Sequence, residues 1–185
     1  MSKGKLFVIS GASGVGKGTV LGKMMEKRQD LRFSVSATTR APRPNERDGV
    51  HYYFITKAQF EQMIAGDEFL EYDNHAENYY GTPRRQAEEK QAVGHVLLDI
   101  EPMGAAQVRK TDPEATLIFI MPPSMEELER RLRDRKDTPE AQIVIRMNRA
   151  VWEMEQRGWY DHVVVNDDAD RCADEILNII SKLED

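Results

Sequence analysis

The stretch Leu6–Met25, L-F-V-I-S-G-A-S-G-V-G-K-G-T-V-L-G-K-M-M, decides how the rest of the chain is read. The unbroken apolar run Leu6-Phe7-Val8-Ile9 has the character of a short strand covered on both faces. Residues Gly11 to Thr19 follow as G-A-S-G-V-G-K-G-T, and Val20-Leu21-Gly22-Lys23-Met24-Met25 continues as a helix. Strand, glycine-rich loop and helix is the setting of a phosphate-binding loop. The glycines let backbone N–H groups turn inward around a polyphosphate, the helix adds its positive end, and Lys17 brings a full charge. A lone glycine-rich turn would suit any α/β protein, but Gly11-x4-Gly16-Lys17 between a strand and a helix is far more specific. One detail departs from the general pattern. Gly18 follows the lysine and the hydroxyl comes one place later, at Thr19, so waters or distant carboxylates are expected to share in holding a phosphate-bound Mg²⁺.

Composition sets limits around this loop. At 185 residues the chain reads as one domain, and its 40% hydrophobic content suffices for a core. The net charge of −6 argues against wholesale binding to nucleic acid or an anionic membrane. Cys172 is the sole cysteine, which excludes an internal disulfide and suits a reducing cytoplasm. The four histidines lack ligand spacing, so no structural metal site is expected. Met1–Lys5 run into a five- or six-residue apolar strand, too short for the apolar core of a signal peptide, so none is expected, and no apolar run approaches membrane-spanning length.

Beyond the loop, short apolar strands are expected at Leu6–Ser10, His95–Ile100, Thr116–Met121 and His162–Val165. Helices are expected at Gly16–Arg28, Pro83–Val93, Ser124–Arg135, Pro139–Arg157 and Ala169–Leu183. Ser124 with Glu127 reads as a capping box, and Thr138-Pro139 as a cap followed by a first-turn proline. The alternation predicts an α/β fold with a doubly wound parallel sheet. Residues 34–82 break it. There, strands at Tyr52–Ile55 and Phe69–Tyr72 flank a short helix at Lys57–Ala65, which reads as a small inserted subdomain. Residues Arg130–Arg149 form a second exception, an arginine-dense flap around Lys136-Asp137-Thr138-Pro139.

Arginine patterning sharpens the reading. In Thr38-Thr39-Arg40-Ala41-Pro42-Arg43-Pro44 two prolines stiffen a loop bearing two guanidinium groups, whose planar forks suit phosphate. In the flap, Arg130 can pair with Asp134 and Arg133 with Asp137 at helical spacing, and Glu127 can relieve Arg131. Arg135 is then left without a helical partner, as expected where an anion arrives from outside, and Arg146 on the next helix can join it.

These pieces occur in a fixed order: the phosphate loop, Ser34-x-Ser36-x-Thr38-Thr39-Arg40-x-x-Arg43, Asn78-Tyr79-Tyr80-Gly81-Thr82, Leu98-Asp99-Ile100-Glu101, Pro122-Pro123-Ser124 and Val164-Val165-Asn166-Asp167. In that order the chain resembles the guanylate kinase family along essentially its whole length. The resemblance implies a P-loop kinase domain over residues 1–185, with a core of 1–33, 83–125 and 150–185, a GMP-binding insertion of 34–82 and a helical lid of 126–149. It implies an ATP-dependent, Mg²⁺-assisted phosphorylation of GMP to GDP by in-line transfer, in the cytoplasm, without nucleic-acid or membrane partners. Lys17 would bridge the ATP phosphates, with Gly11, Ala12, Ser13, Gly14, Val15, Gly16, Gly18 and Thr19 around them and Asn166 near the adenine. Arg40, Arg43, Tyr52 and Tyr80 would hold the GMP phosphate, with Glu46 in the same stretch. Glu71, Ser36 and Thr82 would read the guanine, and Asp99 and Glu101 would sit beside GMP and the metal region. Arg131, Arg135 and Arg146 would close over the transferring group, with Arg40 counted among the catalytic charges.

The chain also departs from the family pattern. Asp134-Arg135-Lys136 stands where glycines usually flank the second flap arginine, and Ala12 replaces a frequent proline. Pro102-Met103 precedes Gly104 in place of a polar residue, and His75-Ala76-Glu77 replaces a more apolar turn. None of these removes a matched position. The strings D-x-x-G and N-K-x-D of GTP-hydrolysing switches are absent from the sequence.

Overall fold

A computed structural model of the chain describes residues 3–75, 77–134 and 139–184. The chain runs from strand β1 (Leu6–Gly11) through helix α1 (Lys17–Lys27) to the two-residue strands β2 (Arg32–Phe33), β3 (Ala37–Thr38) and β4 (Tyr53–Phe54). Helix α2 (Lys57–Ala65), strands β5 (Phe69–His75) and β6 (Asn78–Pro83), helix α3 (Arg84–Gln91), strand β7 (Val96–Asp99) and helix α4 (Pro102–Thr111) come next. The remainder is β8 (Thr116–Met121), α5 (Met125–Arg133), α6 (Glu140–Glu155), a 3₁₀ turn, β9 (His162–Val165) and α7 (Ala169–Glu184). One sheet has the order β2-β7-β1-β8-β9, with β2–β7 and β8–β9 paired parallel, and a second has the order β4-β3-β6-β5. The expected α/β architecture with a parallel sheet is present.

Contacts divide the chain into two compact units, Met1–Val8 with Asp30–Ala115 and Ile9–Gln29 with Thr116–Asp185, so that β1 contributes to both. In the first unit, Val96, Leu97 and Leu98 are buried, in keeping with the continuous apolar run that predicted that strand. The second sheet has its own small core, where Phe60 of α2 stacks on Phe69 at 4.3 Å and on Tyr79 at 5.0 Å. Thr56 caps α2 through a reciprocal box with Gln59, which explains why the helix starts where the sequence predicts. In the second unit, Leu117 to Ile120 of β8 are buried, and α7 turns Cys172, Ala173, Ile176, Leu177 and Ile180 inward at helical spacing. Its outer edge is tied to α1 by Lys23–Asp170 and Lys27–Asp174, each 2.6 Å.

Several local expectations need correction. Helix α4 is absent from the sequence reading because Pro-Met-Gly at its start is weak helix material, yet Glu101 precedes it in extended backbone and Pro102 is tolerated in its first turn. Strand β6 was legible only as a motif. Ser124 does cap α5, accepting the Glu127 N–H at 3.1 Å, but the return arm of the box is missing because the Glu127 carboxylate serves Arg130 and Arg131. Pro139 stands at the cap position of α6 and not inside its first turn; Thr138 lies outside the described residues.

Candidate functional site

The second unit carries the phosphate loop. The Val15 N–H donates to the Ala12 carbonyl at 3.0 Å, closing a tight turn, and Gly16 caps α1 so that Lys17 is its first residue. Gly14 and Gly16 have φ of 89° and 94°, the left-handed region where glycine alone is unstrained. Space demands glycine as well: a Cβ on Gly14 would lie 2.5 Å from Leu132, and one on Gly16 2.9 Å from Asn166 Nδ2. Thr19 is exposed in the first turn of α1, one residue past Gly18.

Side chains from three elements brace this loop. Buried Asn166, just after β9, donates from Nδ2 to the Val15 carbonyl at 2.8 Å. Arg131 of α5 donates to the same carbonyl at 3.2 Å and to the Asn166 carbonyl at 3.0 Å. Its Nε is held by Glu127 at 2.8 Å, and the guanidinium groups of Arg130 and Arg131 draw the Glu127 carboxyl down to about 2. Arg146 of α6 donates to Ser13 Oγ at 3.2 Å. One turn pair further along the same helix, Glu153 is 0% exposed and accepts the Ser13 N–H at 2.6 Å and Arg149 Nε at 2.8 Å. The predicted loop, Asn166, Arg131 and Arg146 are thus brought together. Arg135 lies outside the described residues. Arg130 pairs with Asp134 at 2.7 Å as expected; Arg133 bonds Glu129 and Glu140, and its expected partner Asp137 lies outside the described residues.

Glu153 was missed from the sequence. Its signal was there: it shares the buried face of α6 with Ile143 and Ala150, and a carboxylate on such a face needs a partner. The partner is a loop amide far away in sequence, which no local pattern reveals.

The first unit gathers the other predicted residues. Strands β3 and β6 pair antiparallel with Thr38 opposite Tyr80 and Ala37 opposite Gly81, and β6 and β5 with Thr82 opposite Glu71. Thr82 and Glu71 thus form a directly opposed cross-strand pair, and Ser36 immediately precedes β3. Glu71 is 4% exposed, and Thr82 donates its hydroxyl to Oε1 at 2.6 Å. Burial pushes the Glu71 carboxyl up to about 7, against the downward pull of the Thr82 hydrogen bonds and with help from the negative Asp73 and Glu101.

Arg40 lies on the loop after β3, its N–H donating to Thr38 Oγ1. Its guanidinium makes two 2.9 Å hydrogen bonds to Glu46 and sits 5.5 Å from the Tyr52 ring, whose centroid is 6.1 Å from that of Tyr80. The Arg40 hydrogen bonds hold the Glu46 carboxyl down at about 2, aided by the Arg43 N–H at 2.8 Å. Arg43's own side chain is exposed. Ser36, Glu46, Tyr52 and Asp99 share a cavity of about 230 Å³ with Phe33, Val50 and His51. Asp99 ends β7, and Glu101 follows as the residue that precedes α4.

A parallel α/β sheet whose first strand feeds a glycine-rich loop, braced by arginines, defines a P-loop nucleotide-binding protein. The comparisons narrow that class. The profile of the family described as guanylate kinase matches residues 3–183. The guanylate kinase of Carboxydothermus hydrogenoformans is 47% identical over 98% of this chain and 89% of its own length. That of Thermus thermophilus is 48% identical over 97% of this chain and 81% of its own. The crystal structure of guanylate kinase from Anaplasma phagocytophilum matches with a TM-score of 0.81 at 35% identity, covering 99% of this chain and 87% of that one. The chain belongs to the guanylate kinase family of phosphotransferases. Among the described residues, no helix is long and apolar enough to cross a membrane.

Proposed function

We propose that this chain transfers the γ-phosphoryl group of ATP to GMP, yielding ADP and GDP. A GMP phosphate oxygen forms a bond to the γ-phosphorus as the bond to the β–γ bridging oxygen of ATP breaks in line, and that oxygen leaves with ADP. The observation that carries the substrate is the buried Glu71 carboxyl paired across the strands with Thr82. Guanine offers N1–H and N2–H₂ side by side, two donors that one carboxylate accepts together. Adenine offers an unprotonated N1 there and no 2-amino group, so the carboxylate would face a lone pair.

On this reading Lys17 and residues Gly11 to Thr19 cradle the ATP phosphates, and Asn166 lies toward the adenine. Arg40 and Arg43, with Tyr52 and Tyr80, take the GMP phosphate, which competes with Glu46 for Arg40. Arg131, Arg135 and Arg146 supply positive charge where the transition state spreads its negative charge, and alignment provides the rest of the acceleration. Residues 34–82 serve as the acceptor-binding insertion and 126–149 as the lid.

Mg²⁺ fits these residues as an ion carried largely by the nucleotide. Thr19, exposed beside the phosphate loop, is the oxygen donor that would help hold it, and when bound it neutralises phosphate charge. The test is ADP release from ATP and Mg²⁺ with GMP, AMP, CMP and UMP in parallel. Turnover confined to GMP supports the reading; equal turnover with AMP overturns it.

A further inference from the structure

Strand β5, which carries Glu71, is an edge of its sheet, so among the described residues one side of its backbone has no strand beside it. Helix α4 packs there instead. Gln107 of α4 donates from Nε2 to the Tyr72 carbonyl at 2.7 Å, and the Tyr72 N–H donates to Gln107 Oε1 at 3.1 Å. A primary amide thus stands in for the peptide group of a missing strand, at the residue directly after Glu71. One turn earlier on α4, Gly104 lies against the Glu71 side chain. A Cβ on Gly104 would overlap Glu71 Oε2 and come within 3.0 Å of Cδ and 3.3 Å of Cγ.

The strand alone does not settle where Glu71 points. Its register with β6 shifts between Phe69 and Glu71, so the ladder is irregular immediately before it. Thr82 secures Oε1, while Oε2 lies over Gly104. The helix itself has no need of this glycine. Gly104 does not have a positive φ, and alanine is the better helix former. The bare Cα is needed by the carboxyl above it.

We propose that Gly104 and Gln107 are positioning residues for purine choice: α4 sets the height of the Glu71 carboxylate through Gly104 and its backbone register through Gln107. This rests on Glu71 as the guanine reader. Neither residue touches the substrate in this account; both act through Glu71.

The test is steady-state kinetics with GMP, AMP and ATP on Gly104→Ala, Gln107→Ala, Gln107→Glu and Glu71→Gln, each with a urea unfolding midpoint. Displacing a reading group by about an ångström costs on the order of 10²-fold, so kcat/KM for GMP should fall by about that much in Gly104→Ala. The GMP-to-AMP ratio should narrow while the KM for ATP and the unfolding midpoint hold. Gln107→Ala should do the same to a lesser degree, and Gln107→Glu, which sets a carboxylate against the Tyr72 carbonyl oxygen, should narrow the ratio at least as much. Adding Glu71→Asp to Gly104→Ala shortens the carboxylate and should restore part of the ratio. Wild-type ratios in Gly104→Ala and Gln107→Ala would overturn the proposal while a narrowed ratio in Glu71→Gln left the guanine reading standing. An unchanged ratio in Glu71→Gln would overturn the guanine reading itself, and the positioning role with it.

Discussion

Replacing Glu71 by glutamine should make the protein more stable and a worse kinase at once, and both effects can be worked from one carboxyl. Burial raises Glu71 from 4.5 to about 7, so the folded state favours its neutral form. Between those two values the native protein holds a proton that the unfolded chain has lost. Stability from this group is therefore complete below pH 4.5 and is lost as pH rises through about 7. The shift corresponds to roughly 3 kcal/mol by linkage. Glutamine keeps the shape without the charge, so the variant should avoid most of that loss. Urea unfolding without nucleotide, from about pH 5 to about pH 8, should show a falling wild-type curve and a flatter variant curve. Guanine, by contrast, needs the charged form, since a protonated carboxyl presents a donor to a donor. The wild-type KM for GMP should therefore rise as pH falls below about 7, and this limb should vanish in the variant. Losing a buried acceptor matched to the ligand should cut kcat/KM for GMP by about 10² to 10³ and narrow the GMP-to-AMP ratio. Parallel stability curves for the two proteins would refute the electrostatic reasoning. An unaltered ratio would refute the role in guanine recognition.

Other expectations follow from the remaining groups. Lys17→Ala should lower kcat by about 10² to 10³ with an unchanged unfolding midpoint, because a charge at the loop is lost and no core cavity is made. Glu153→Ala removes the buried acceptor of the Ser13 N–H and the partner of Arg149; it should cost roughly 1–3 kcal/mol in urea unfolding and raise the KM for ATP. Glu153→Gln, which can still accept from the loop amide, should lose less of both. Glu46, held near 2 by Arg40, contributes stability that is present above 4.5 and lost as pH falls toward about 2. An acid titration of Glu46→Gln should accordingly be flatter than wild type over that window.

Where a structural role depends on neighbours in the chain, the sequence reading succeeded. Leu6–Ile9 followed by Gly11-x4-Gly16-Lys17 is strand, loop and helix because apolar runs, glycine freedom and helical spacing are local properties. Thr56 and Gln59 set the start of α2 for the same reason. The two-residue strands β2 and β3 escaped notice because so short a segment has no period of its own and exists only through its pairing. Helix α4 escaped because its first turn is poor helix material, stabilised by where it packs.

The candidate sites divide the same way. Residue types suited to phosphate and guanine were visible in the sequence, but the pairing of Thr82 with Glu71 is a product of strand register. The buried Glu153 under the phosphate loop, and Gly104 and Gln107 under Glu71, became meaningful only with their distant partners in place. Sequence determined which groups were available and what local backbone they favoured. Tertiary structure decided which groups lost their water and which partners replaced it, because burial and hydrogen bonding depend on segments that meet only in the folded chain.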